Sequence, residues 1–107
     1  MVNVAIQDKY VQTLQTFGDI QELFDKAIQR YTIEKITELQ ERSKKYQYQY
    51  GIDFLEFEKR VAEDIAFVEH IEQNITPMWE FDFDDWEFCE KGIDDWTRQL
   101  TMILYAI

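Results

Sequence analysis

One cysteine, one histidine and one proline stand among 107 residues, and each scarcity removes a class of chemistry. Cys89 has no second thiol to pair with, so an internal disulfide is excluded and a reducing, cytoplasmic setting is expected. His70 has Phe67 three residues before it, where the Glu-x-x-His pattern of a di-iron bundle needs a carboxylate. No glycine-rich phosphate loop, zinc spacing or Ser-His-Asp order occurs, so no catalytic residue is assigned and no enzyme is expected. No apolar run approaches the roughly 20 residues of a membrane span, and the opening residues show no signal-peptide pattern. The acidic run WEFDFDDWEFCE lacks the alternating oxygen ligands and the sixth-position glycine of a calcium loop. It reads as the acidic start of a helix, and neither metal nor cofactor is expected.

What the chain does have is apolar mass and uneven charge. Its hydrophobic and aromatic fractions, 46% and 16%, exclude a disordered chain. The net charge of −11 has a sharp distribution. Through Lys45, seven basic residues balance seven acidic ones; from Tyr46 onward, four basic residues face fifteen acidic ones. A neutral front and an acidic back suggest two tasks. An acidic surface repels nucleic acid and favours a basic protein partner, besides aiding solubility.

Periodicity then organises the chain. Val2, Val4 and Ile6 alternate with Asn3, Ala5 and Gln7, the period of a half-buried strand. From Asp8 the period lengthens, and Tyr10, Val11, Leu14 and Phe17 recur as on one helix face. Gly18 punctuates, Asp19 offers an N-cap with Glu22 three residues on, and Ile20, Leu23, Phe24, Ala27, Ile28 and Tyr31 form a second stripe. A lone short strand has two open edges, which a second copy of the chain would close.

Thr32, Ile36, Leu39, Ser43, Tyr46 and Tyr50 continue a seven-residue repeat with no proline or glycine before Gly51. One long helix over residues 19–48 is expected, with Gly51 as its C-terminal cap and Asp53 capping the next helix. That next helix would run about five turns, with Phe54, Phe57, Val61, Ile65, Val68 and Ile71 or Glu72 in register, until residues 74–77 break it. Trp79, Phe81 and Phe83 alternate, an extended signal; Asp82, Asp84 and Asp85 then open a final helix. Its stripe is Trp86, Cys89, Ile93, Trp96, Leu100, Ile103 and Leu104, with Gly92 permitting close packing or a bend. The expected fold is mainly α: a short N-terminal β-strand, then three to four helices, one of them long.

The order strand, helix, helix over residues 2–31, with VAI before the first helix and ELFDKAIQRY closing the second, resembles the ribbon-helix-helix family of Arc/MetJ-type repressors and related antitoxins. That resemblance implies a homodimer whose paired strands lie in the DNA major groove. Asn3, Ala5 and Gln7 would face DNA and Lys9 would touch phosphate, although no Arg or Lys stands on the outward strand face. It implies residues 1–31 as a dimerising segment and residues 32–107 as an acidic helical extension that masks a basic partner such as a toxin. The acidic back half is similar to small helical antitoxin-like proteins. Aromatics interleaved with acids suit an interface with apolar anchors in a charged rim. Small helical domains also build cores from such residues, which is the reading preferred for Trp86 and Trp96 on the stripe; Trp79, Phe81, Asp82, Asp84, Asp85 and Phe88 are the candidate partner-binding residues. The alternative is a homodimeric helical adaptor with no nucleic-acid role.

Overall fold

The computed structural model describes residues 8–16 and 18–105. Five helices follow in order: α1 (Asp8–Thr16), α2 (Ile20–Tyr50), α3 (Phe54–Glu63), α4 (Ile65–Asn74) and α5 (Trp79–Tyr105). Among the described residues there is no strand or sheet, which corrects the expected mixture of an N-terminal strand with three to four helices. The alternating residues 2–7 lie outside the described residues. The chain divides into two units, Met1–Tyr31 and Thr32–Ile107.

In the first unit, short-range chemistry sets the boundaries. Gly18, at φ 93°, takes a left-handed conformation that costs a side-chain-bearing residue energy. The Asp19 carboxylate then accepts the backbone N–H of Gln21 at 2.9 Å, which caps the start of α2. Val11, Ile20, Leu23 and Phe24 are half-buried, and no described residue of this unit is fully buried.

In the second unit, the seven-residue repeat of α2 is turned inward. Thr32, Leu39, Ser43 and Tyr50 are buried. Gly51, at φ 76°, ends the helix and donates its N–H to the Gln47 carbonyl at 2.8 Å. The Asp53 carboxylate caps α3 by accepting the Glu56 N–H at 2.8 Å.

Two boundaries differ from the sequence expectation. The expected five-turn helix breaks at Asp64, which adopts an extended conformation (φ −122°, ψ 96°) and accepts the Phe67 N–H at 3.1 Å. Aspartate competes for nearby backbone donors, so it can end one helix and cap the next. The restart changes which residues face inward. Of the residues expected in one register on a continuous helix, Ile65 is 78% exposed, while Ile71 is wholly buried as expected. Phe67 meets Phe57 edge-on at 6.1 Å.

The second difference is at Trp79, where α5 begins instead of an extended segment. Trp79, Phe83 and Trp86 are spaced four and three apart, so an alternating trio also contains two residues of a helical stripe. Glu80 and Asp82 in the first turn favour the helix through its dipole. The out-of-phase aromatic, Phe81, is left at the surface.

The core is aromatic. Tyr50, Phe54, Phe57, Ile71 and Trp86 are buried together, with Tyr46, Ile52, Val61, Phe67, Trp79 and Phe83 packed around them. The Trp86 indole lies 5.2 Å from the Phe57 ring, 5.4 Å from Phe54 and 6.0 Å from Tyr50, centroid to centroid. Such pairs add to the area they bury. On the next turns of α5, Gly92 admits Leu39 of α2 so closely that a Cβ there would stand 2.7 Å from Leu39 Cδ1. The glycine therefore serves close packing. No described helix is long and apolar enough to cross a membrane.

Candidate partner-binding face

Helix α5 carries carboxylates in two rows with different surroundings. The inner row faces α2 and is fully engaged. Tyr50 donates its hydroxyl to Asp82 Oδ2 at 2.6 Å, and Gln49 Nε2 reaches the same oxygen at 3.3 Å. Tyr46 donates to Asp85 Oδ2 at 2.6 Å, while Arg42 bonds the other Asp85 oxygen. Trp86 Nε1 donates to Ser43 Oγ at 2.9 Å, and Ser43 passes its own proton donor to Glu90 Oε1 at 2.5 Å. Every buried side-chain nitrogen and oxygen among the described residues has a partner. A satisfied polar seam of this kind fixes the register of two helices, because a slip would leave desolvated groups unpaired.

Burial and the neighbouring carboxylates keep the seam's phenols protonated. Burial raises the Tyr46 and Tyr50 phenols well above the usual 10, and their hydrogen bonds to Asp85 and Asp82 raise them further. Burial also pushes the Cys89 thiol up, against a lowering by Arg42; Asp85 and Glu90 add to the rise. Cys89 is completely buried, and a buried protonated thiol packs as a small hydrophobe instead of attacking a substrate.

The outer row is different. Phe81 and Phe88, two helical turns apart, are 69% and 61% exposed. Asp84 lies between them and is exposed. The Arg42 guanidinium stands 5.8 Å from the centre of the Phe88 ring, which fixes one edge of this face. Around the helix, Trp79 and Phe83 join Val61 of α3 in a cleft of about 260 Å³, with Glu80 and Asp84 also lining it.

The sequence-derived candidates are thus distributed. Phe81, Asp84 and Phe88 are exposed on α5, Trp79 is half-buried against the core, and Asp82 and Asp85 bind side chains of α2. Asn3, Ala5 and Gln7 lie outside the described residues, and Lys9 falls in α1. Sequence reasoning passed over Val61, Glu80 and Phe83 of the cleft. A signal was present: Glu80 has a second carboxylate, Asp84, four residues on, where a cation would have stabilised the helix. Among the described residues no group of three or more His, Cys, Asp or Glu is placed to hold a metal ion. No family model, curated protein or solved structure matches the chain.

Proposed function

We propose that this protein is an antitoxin-like binding protein that acts without catalysis, masking a basic protein partner with the acidic helices of its back half. The observation that carries the reading is the outer face of α5, where exposed Phe81 and Phe88 flank an exposed Asp84. Apolar anchors give an interface its affinity, and the charge around them selects the partner. From Tyr46 onward the fifteen acidic and four basic residues select a cationic surface. A second copy of this chain would bring like charge against like, so the face suits a different protein. Inhibition by coverage needs no reactive group. Operator binding is not part of the proposal, since it rested on a strand face outside the described residues.

The test is a pull-down from the source cells with the tagged full-length protein, at low and at high salt. Recovery of one small basic protein in fixed ratio, weakened by salt and lost on Phe81→Ser/Phe88→Ser, is the expected result. Recovery of the bait alone, or of a self-associated bait unaffected by that substitution, would overturn the proposal.

A further inference from the structure

The cleft between α3 and α5 combines an apolar lining with two uncompensated charges. Elsewhere on the helices, four carboxylates are each paired with a cation four residues on: Glu22 with Lys26, Glu56 with Arg60, Glu87 with Lys91 and Asp94 with Arg98. Glu80 and Asp84 have the same spacing but equal sign, and neither side chain has an ion pair or hydrogen bond among the described residues. Like charges so placed repel, and a cation between them would relieve the repulsion.

Beside these carboxylates lie Val61, Trp79 and Phe83. The volume of about 260 Å³ is below the roughly 300–1,000 Å³ of small-molecule pockets and suits one long side chain. A purely apolar occupant would desolvate the carboxylates without compensation. A free cation would gain nothing from the apolar wall.

We propose that this cleft takes one arginine side chain of a basic protein partner. Its aliphatic stem lies on Val61 and Phe83, and its guanidinium lies over the Trp79 indole and bonds Glu80 and Asp84. Arginine fits better than lysine because its planar fork can stack on an aromatic face while donating to two carboxylates. The proposal rests on the reading that the partner is basic, and it names how that partner is read.

The test is an NMR titration of the full-length, ¹⁵N-labelled protein with a capped hexa-arginine peptide, and with a hexa-citrulline peptide as neutral isostere. Ionic strength near 0.15 M limits long-range attraction, with a screening length of about 8 Å. Saturable shifts confined to the Trp79 indole N–H and the amides of Val61, Glu80, Phe83 and Asp84 are expected with arginine only. Glu80→Gln/Asp84→Asn should weaken binding at least about tenfold, a loss of roughly 1.4 kcal/mol. Glu69→Gln/Glu72→Gln, an equal charge change on α4, should alter it less than about twofold. Equal losses in the two variants, shifts scattered over the acidic surface, or equal binding of citrulline would overturn the proposal. The two readings fail separately. Cleft binding of hexa-arginine with no basic protein recovered from cells would sink the masking function alone. Full-strength recovery of a basic protein by Glu80→Gln/Asp84→Asn would sink the arginine cleft alone.

Discussion

Asp84 and Asp85 are adjacent on α5, yet one is exposed and the other holds Tyr46 and Arg42 of α2. The same contrast separates Glu80 from Asp82, whose carboxylate takes the Tyr50 hydroxyl. Helical geometry produces this division, since a step of one or two residues turns a side chain away from the neighbouring helix. Acidic composition alone therefore says little about a surface. Part of the charge on α5 is spent inside the fold, and what remains outside is available to a partner.

The comparison can be broken most severely from the inside. Trp86 is wholly buried, packs against four aromatic rings and donates to Ser43. Trp86→Ala should cost about 3–5 kcal/mol in equilibrium urea unfolding. Gly92→Val should cost about 1–3 kcal/mol by thermal melting, because the added side chain meets Leu39 and must push it from a packed site.

Alkaline pH tests the seam more gently. Tyr46 and Tyr50 titrate above the ordinary value of 10 when folded. Below about pH 10 both the folded and unfolded chains hold neutral phenols, so the seam's contribution is whole. As pH rises beyond that value the unfolded chain ionises these phenols first, and stability falls toward the higher folded values. Urea midpoints measured from pH 9 to 11 should decline, and Tyr46→Phe/Tyr50→Phe should flatten the decline. On the outside, Phe81→Ser and Phe88→Ser should each shift stability by less than about 0.5 kcal/mol while abolishing partner capture.

Local chemistry was the legible part of this fold. Asp19 and Asp53 cap helices, and Gly18 and Gly51 take the left-handed turns expected of helix punctuation. The long helix, expected over residues 19–48, runs Ile20–Tyr50. Trp86 and Cys89 of the final stripe are buried, as the periodicity predicts. Leu104 of the same stripe is 56% exposed, since a periodic pattern does not say where the neighbouring element ends.

Three features were hidden for physical reasons. Asp64 caps a helix from within an apolar pattern that also fits one continuous helix, so periodicity could not locate the break. The trio Trp79, Phe81 and Phe83 satisfies a period of two, while Trp79 and Phe83 also satisfy a helical step. The division of the carboxylates depends on pairing between residues more than thirty positions apart, such as Tyr50 with Asp82. Sequence spacing along one helix shows that Asp82 and Asp85 share a face; it does not show which residues stand opposite. The cleft was hidden similarly, because Val61 reaches Trp79 and Phe83 only once α3 lies against α5.

The most direct test of the two-row account is the urea unfolding midpoint of Asp84→Asn beside that of Asp85→Asn. Asp85→Asn should lose about 1–2 kcal/mol, since it weakens charge-assisted bonds from both Tyr46 and Arg42. Asp84→Asn should change stability by less than about 0.5 kcal/mol. Equal losses, or a larger loss at Asp84, would contradict the division of α5 into a row that holds the fold and a row left for a partner.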